Sequence, residues 1–343
     1  MKHYKAGIIG CGTIFPMHAR SLLKIQGVTI AAVCDIKRKR AAERAKEYRS
    51  SYYTDYKKMF REERLDCVHI CTPHHLHAQM ALAAADYGMN ALVEKPMALN
   101  SEDAARMIDS FKKKKLKLGV ISQNRFNPSS RLVRQCFTAG KLGKFKAAKL
   151  VLTYHKPDAY YQKSDWKGTW SKEGGGVVID QSIHYLDVLR WLADDDVEYV
   201  EANIANRMHN FIKVEDCAEG VIKFKKGAYV CFYLINFYSY DADTQFEIHC
   251  EKGRARVVKD SGVVEFASGK NLIAKPRKNE YIDYGKGVRT YWGYCHYNQI
   301  KDYYDSLKAN REPAITGVDG KKTLDIVLAI YESSERKKRI YFK

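Results

Sequence analysis

The sequence predicts an α/β chain of two domains: a doubly wound parallel sheet, then an α+β domain on an antiparallel or mixed sheet. Three observations carry that reading. Apolar runs alternate with helical patterns through the first third of the chain, as in strand–helix–strand units. The first run ends in a glycine turn. After Ser122 several strand patterns follow one another without intervening helices, which favours antiparallel pairing.

In order, strands are predicted over Tyr4–Gly10, Thr29–Asp35, Cys67–Cys71, Asn90–Glu94 and Lys117–Ser122, with helices between them. A helix near Ser130–Ala139 and a strand over Phe145–Tyr154 come next. An aromatic loop leads to a helix from about Val177 to Leu192. Strands then follow over Val197–Asn206, Ala218–Phe224, Ala228–Asn236, Thr244–Cys250 and Ala255–Val258, and helices over Cys295–Leu307 and Asp319–Glu335 close the chain. The domains are set at residues 1–122 and 123–343, with the last helices able to pack back on the first domain. A chain of 343 residues with 45% hydrophobic content has enough apolar surface for two cores.

No apolar stretch reaches the length of a membrane span, and the first strand begins without a signal-peptide pattern. A cytoplasmic protein with no membrane partner is expected. Nine cysteines are scattered, mostly in apolar runs, and read as reduced and buried. The net charge of +19 concentrates in Lys37–Arg40, Lys112–Lys115 and Arg336–Arg339. The second cluster ends a helical pattern and the third lies near the C-terminus, where cations complement a helix dipole. No nucleic-acid motif accompanies them, so no nucleic-acid partner is expected, although an anionic substrate would be steered inward.

Residues Lys5–Thr13 read K-A-G-I-I-G-C-G-T. Gly10 and Gly12 at the end of an apolar run let backbone approach a pyrophosphate at a helix N-terminus. Asp35 ends the next run, 23 residues after Gly12, where a carboxylate would accept hydrogen bonds from a ribose diol. Phe15 stands where the fingerprint has a third small residue, a departure that bears on helix packing or cofactor affinity. Asp35 favours NAD over NADP, because a carboxylate repels a 2′-phosphate; Lys37 and Arg38 lie close enough to blur the preference.

Thr72-Pro73 and Glu94-Lys95-Pro96 both end sheet strands, the edge at which open α/β sheets bind ligands. His74, His75 and His77 follow the first, but H-H-x-H has no accepted metal-ligand spacing, and no metal is expected. A desolvated Lys95 could hold a substrate oxygen and exchange its proton. Further on, Gly174-Gly175-Gly176 opens a helical pattern in which Asp180 and His184 stand four apart, hence on one face. The carboxylate would raise the imidazole's basicity, and the glycines would let a ligand come close to the helix start.

G-I-I-G-C-G-T-I, I-C-T-P-H-H-L-H, E-K-P-M-A, Q-N-R-F-N-P and G-G-G-V-V-I-D-Q-S-I-H-Y-L-D resemble the Gfo/Idh/MocA oxidoreductase family, with V-E-D-C-A at Val214–Ala218 and Y-W-G-Y-C-H at Tyr291–His296 as further matches. The resemblance spans nearly the whole chain. It implies an N-terminal Rossmann domain and a C-terminal α+β domain with a large, mostly antiparallel open sheet, often used to form dimers, tetramers or larger homo-oligomers. It also implies a nicotinamide cofactor and oxidation or reduction of a secondary alcohol on a sugar, cyclitol or related molecule.

Carried over by position, Lys95 matches the family's essential lysine, whose bond to proline is often cis. Asp180 and His184 match the acidic residue and catalytic histidine of inositol-dehydrogenase-like members; many nucleotide-sugar members have Asn at the first of these. Thr13, Ile14, Thr72, Pro73, His77 and Glu94 join Gly10, Gly12, Asp35, Lys37 and Lys95 as expected cofactor contacts. Arg125, Tyr154, Trp166 and Trp170 join Asp180 and His184 as expected substrate contacts.

Tyr154, Tyr160, Tyr161, Trp166 and Trp170 crowd one loop, and Tyr291, Trp292, Tyr294 and Tyr297 another; such aromatics pack a domain interface or stack on the C–H faces of a sugar. Asp165–Trp170 resembles members that oxidise C3 of nucleotide sugars or glycosides, some of which keep NAD tightly bound. A sugar or glycoside 3-dehydrogenase is the leading expectation, with an inositol, cyclitol or nucleotide-sugar dehydrogenase behind it. A non-catalytic NAD-binding regulatory protein is the alternative from another class; retention of Lys95, Asp180 and His184 together argues against it.

Overall fold

The computed structural model describes residues 3–276, 282–285, 288 and 295–343. Tyr291, Trp292 and Tyr294 lie outside them. In chain order the first elements are β1 (Tyr4–Ile9), α1 (Phe15–Leu23), β2 (Val28–Cys34), α2 (Arg38–Tyr48), β3 (Ser51–Tyr53), α3 (Tyr56–Glu62), β4 (Cys67–Ile70), α4 (His77–Asp86), β5 (Asn90–Val93), α5 (Ser101–Lys113) and β6 (Leu118–Val120). Next come α6 (Pro128–Thr138), β7 (Phe145–Thr153), α7 (Asp158–Gln162), a π-helical turn over Val177–Ser182, and α8 (Ile183–Ala193). Strands β8 (Val197–Ala205), β9 (Cys217–Phe224), β10 (Tyr229–Ile235), β11 (Gln245–Cys250), β12 (Gly253–Val258), β13 (Ser261–Phe266) and β14 (Asn271–Ala274) follow. The chain closes with α9 (His296–Lys308), α10 (Gly317–Arg336) and β15 (Ile340–Tyr341).

The chain divides into two compact units, Met1–Gln123 with Asn279–Lys322, and Asn124–Lys278 with Thr323–Lys343. The first holds a six-stranded parallel sheet in the order β3-β2-β1-β4-β5-β6, the order of a dinucleotide-binding fold. Its strands are buried on both faces, so they read as continuous apolar runs. The three-residue β3, with two exposed residues, has no such run and is missing from the sequence prediction. Ile300, Tyr303 and Tyr304 of α9 are buried in the same core as Ile8, Phe15, Val33 and Leu92. That burial groups α9 with the first unit, a packing the sequence left open for the last helices.

The second unit is a nine-stranded sheet, β14-β13-β12-β11-β7-β10-β9-β8-β15, antiparallel except where β7 pairs with β10. Short turns join β9 to β10, β11 to β12 and β12 to β13, which enforces antiparallel pairing. Alternate residues of β10 are buried, Val230, Phe232 and Leu234, while Tyr229, Cys231 and Tyr233 are exposed. The sequence also missed β13, β14, β15 and the five-residue α7, all short and weakly patterned. All nine cysteines are free, and burial pushes the thiols of Cys11, Cys34 and Cys67 up to about 12.

Candidate active site

In the first unit, β1, β4 and β5 are neighbours, so their carboxyl ends bring Gly10, Thr72 and Lys95 to one edge. Gly10 has φ +93°, and a Cβ there would stand 2.4 Å from the Cys71 carbonyl oxygen, so only glycine fits. A Cβ on Gly12 would meet nothing nearer than Arg40 Nη1 at 3.8 Å, which leaves this backbone open to an approaching group. Ile14 precedes α1 without a side-chain cap; within its first turn Pro16 has no N–H and the Met17 N–H donates to the Ile14 carbonyl at 3.0 Å, so the approach to this helix start is through the glycine turn itself. Thr13 is exposed in the same turn. An open glycine turn at an uncapped helix start fits the pyrophosphate of NAD.

Phe15 does not disturb this turn. It is fully buried beneath α1, edge-on to Tyr48 at 5.5 Å and under the Arg44 guanidinium, so the larger side chain is absorbed by the core. Asp35 is buried, its Oδ2 accepting from the Cys11 N–H (3.0 Å) and Arg40 Nη1 (3.2 Å), and its Oδ1 from the Lys37 N–H (2.8 Å). Lys37 thus meets the carboxylate through backbone, and Arg38 reaches Tyr52 instead. The cation beside Asp35 is Arg40, which the sequence reading had not singled out.

Lys95 is half-buried, its peptide bond to Pro96 is cis, and its N–H donates to Glu94 Oε2 at 3.3 Å. His77 is fully buried, with Nδ1 2.7 Å from the Pro96 carbonyl and Nε2 2.8 Å from the Thr72 carbonyl. A neutral ring donates to one of these carbonyls and lies against the other, so His77 is wedged between the Thr72-Pro73 and Lys95-Pro96 turns. This corrects the expectation of a cofactor contact, because both ring nitrogens face backbone carbonyls.

In the second unit, Asp180 lies in the π-helical turn and His184 in the first turn of α8. One helix was expected across both; the wider turn accommodates Asp180 ahead of α8, as such turns do at functional sites. Asp180 Oδ2 accepts from Tyr160 OH (2.6 Å), Lys167 Nζ (2.8 Å) and Gln181 Nε2 (2.7 Å). Lys167 also donates to Tyr160 OH (2.6 Å) and Glu173 (3.3 Å), and lies 4.5 Å from the ring centroids of Tyr160 and Trp166. Burial alone would lower Lys167, but Asp180, Tyr160 and Glu173 hold it well above the ordinary lysine value. Burial pushes Glu173 up to about 7 against the pull of Lys167.

Lys156 Nζ lies over the rings of Tyr154 and Tyr160, so Tyr154, Trp166 and Asp180 belong to one aromatic and cationic cluster. Trp170 stands apart: it is 43% exposed, and its indole N–H donates to the Lys213 carbonyl. Arg125 is buried, donating through Nε and Nη2 to Asp187, each at 2.6 Å. That edge of its guanidinium is committed to a buried carboxylate of α8, which argues for a scaffold role over the expected substrate contact.

The triple glycine also serves packing. A Cβ on Gly175 would lie 1.9 Å from Tyr331 OH, and one on Gly176 1.9 Å from the Glu215 carbonyl oxygen. The close approach expected from a ligand is made by these two residues. Glu215 is buried and accepts from the N–H groups of Gly176 (2.8 Å) and Val178 (3.0 Å) and from Tyr331 OH (3.0 Å). Glu215 lies in the V-E-D-C-A match of Val214–Ala218, but nothing in the sequence marked it or its partners.

Burial pushes the Glu215 carboxyl up to about 7, from 4.5, against those donors. A raised folded-state value favours the fold while the group is protonated, so this contribution is complete below about 4.5 and is lost as pH rises through about 7. Relative to Glu215→Gln, the wild type is expected to lose about 2–3 kcal/mol between about pH 4.5 and 8, read by urea unfolding. A difference that stays constant across that range would overturn the assignment.

Two family models match the chain: "Oxidoreductase family, NAD-binding Rossmann fold" over residues 4–122, and "GFO/IDH/MocA C-terminal domain" over residues 130–256. The chain is 24% identical to myo-inositol 2-dehydrogenase of Thermotoga maritima, over 98% of each chain. In fold it is similar to the WlbA dehydrogenase of Bordetella pertussis, solved with NADH and UDP-GlcNAcA (TM-score 0.87, 24% identity, 100% of this chain and 98% of that one). It is also similar to levoglucosan dehydrogenase, solved with NADH and levoglucosan (TM-score 0.88, 20% identity, 99% of each). With both halves matched, the chain belongs to the Gfo/Idh/MocA oxidoreductases, as an NAD-binding enzyme acting on CH–OH groups.

Proposed function

We propose that this enzyme moves hydride between NAD and a secondary hydroxyl of a sugar or glycoside, with ring C3 as the carbon. The observation that carries the reading is the shared edge of β1, β4 and β5, where Lys95 follows the strand two places from the one that ends in the glycine turn. When bound, the nicotinamide accepts or returns the hydride. Lys95 donates a hydrogen bond to the substrate oxygen and stabilises alkoxide charge as it develops. His184 takes the hydroxyl proton, and Asp180, fixed in the preceding turn by Lys167 and Tyr160, is assigned to orienting it. Tyr154 and Trp166 offer apolar ring faces beside cations and a carboxylate, which suits a polyol. A panel of glycosides, free sugars and cyclitols with NAD, followed by NADH absorbance and keto-sugar formation, tests this. Failure of every secondary alcohol in the panel would overturn it.

The second reading is a cyclitol dehydrogenase, favoured by the likeness to myo-inositol 2-dehydrogenase along 98% of this chain. Oxidation of myo-inositol in preference to every glycoside would establish it. A homo-oligomer in the cytoplasm completes the proposal, supported by the exposed Tyr229 and Tyr233 on the large sheet and by nine free cysteines. Among the described residues no helix is long and apolar enough to cross a membrane.

Asp35 sets the cofactor preference by accepting from the ribose diol. Asp35→Ala is expected to raise the Kd for NAD about tenfold or more and to narrow the gap to NADP, because a charge-assisted hydrogen bond and the repulsion of a 2′-phosphate are both lost. Titration of the two cofactors against intrinsic fluorescence measures it; an unchanged ratio of the two constants would overturn the role.

A further inference from the structure

Behind the Glu94-Lys95-Pro96 turn lies a buried chain of polar side chains that the proposed reaction does not use. His18 comes from α1, His69 from β4, Glu94 from the end of β5, and His296 and Tyr304 from α9. His18, His69 and Tyr304 are completely buried, and His296 and Glu94 nearly so. Tyr304 OH lies 2.9 Å from His69 Nε2, His69 Nδ1 lies 2.7 Å from His18 Nδ1, and His18 Nε2 lies 2.9 Å from Glu94 Oε1. His296 Nε2 faces the same Glu94 oxygen at 3.7 Å. The second Glu94 oxygen accepts the Lys95 N–H.

The chemistry of the end group fixes the direction of the whole chain. A carboxylate only accepts, so His18 donates from Nε2. A neutral His18 then accepts at Nδ1, which makes His69 the donor from its own Nδ1. His69 accepts in turn at Nε2, from the Tyr304 hydroxyl. Every link is satisfied with neutral imidazoles, one anion and no surplus proton. Burial, which pushes His18 and His69 down, is consistent with this arrangement, as is Glu94, held well below the usual carboxylate range by His18 and His296 against its burial. Among the described residues no group of three or more His, Cys, Asp or Glu could hold a metal ion.

The geometry points to His18 as a positioning residue for Lys95: by donating to Glu94 it locks the carboxylate that holds the Lys95 backbone, and so ties the helix at the glycine turn to the turn bearing the lysine. This rests on the reading of Lys95 as the group that meets the substrate oxygen. An imidazole suits the task because it donates at one end and accepts at the other without bringing charge. A lysine here would neutralise Glu94, and an aliphatic side chain would leave that carboxylate buried without its donor, the costly case.

Two variants separate positioning from mere packing. His18→Gln keeps an N–H toward Glu94 and an acceptor; His18→Leu keeps bulk alone. With the best alcohol of the panel, His18→Leu is expected to lower kcat about tenfold or more with KM within about threefold, and His18→Gln to restore most of it. Equal kcat in wild type and both variants, or equal losses in both variants, would overturn the proposal. Two readouts need no turnover. In 15N-labelled protein His18 is expected to be protonated at Nε2 and His69 at Nδ1, both neutral across about pH 6 to 8. The Lys95 amide is expected to exchange about tenfold faster in His18→Leu than in wild type or His18→Gln. Opposite tautomers, a titrating imidazolium, or unchanged exchange in His18→Leu would overturn it. If wild type oxidises no alcohol, the proposed reaction fails, and the tautomers and exchange rates still judge the link from His18 to Lys95.

Discussion

Replacing Lys95 with alanine is expected to lower kcat about a thousandfold or more while the Kd for NADH stays within about threefold of wild type. The ammonium stabilises charge that exists only as the alkoxide forms, so its loss falls on the transition state rather than on binding. The cofactor turn does not depend on this side chain, because the contacts of Gly10 and Asp35 are with Cys71, Cys11, Lys37 and Arg40. Steady-state rates alongside NADH fluorescence titration measure the split. Lys95→Arg is expected to fare little better, since a larger planar guanidinium does not set a compact point charge at the same oxygen. Undiminished turnover in Lys95→Ala would defeat the proposed reaction.

Arg125→Ala is expected to destabilise the second unit by about 3–5 kcal/mol, because it strands the buried Asp187 without its bidentate partner. Asp187 also accepts from Thr323 OH at 2.7 Å and lies 3.6 Å from Arg190, and these do not replace the fork. Burial alone would raise the Asp187 carboxyl; Arg125 holds it below the ordinary value. Urea unfolding and the steady-state KM distinguish the two roles this arginine has been given. A scaffold residue shifts the unfolding midpoint, whereas a substrate contact raises KM at unchanged stability. The second outcome would return Arg125 to the substrate site.

The legible parts of the candidate site were those whose reason is local. Gly10 announced itself because a left-handed turn at a strand end demands glycine, and Asp35 because it closes the next buried run. Lys95 was legible from its place after Val93, at the carboxyl end of a sheet strand. Contacts that depend on a distant partner were not legible. Arg125 looked like a substrate residue because Asp187 is 62 positions away. The surroundings of His77 were hidden because the carbonyls it faces, of Thr72 and Pro96, follow two different strands. The triple glycine looked like a ligand approach because nothing nearby in the sequence marks Tyr331 or Glu215 as its neighbours.

By itself, then, the sequence determined the strand–helix alternation, the parallel first sheet, the antiparallel character of the second, and the residues at the strand ends. Apolar periodicity, turn conformation and helix-end charge are properties of a few consecutive residues, and they survive without a fold. Only the tertiary structure decided that Glu94 is gripped by His18, that Glu215 fills the glycine turn, that Arg125 pairs with Asp187, and which side chains of α9 enter the first unit's core. Each of those is a pairing of buried groups far apart along the chain. Burial makes such pairing obligatory, but which partner supplies it is settled by the course of the backbone.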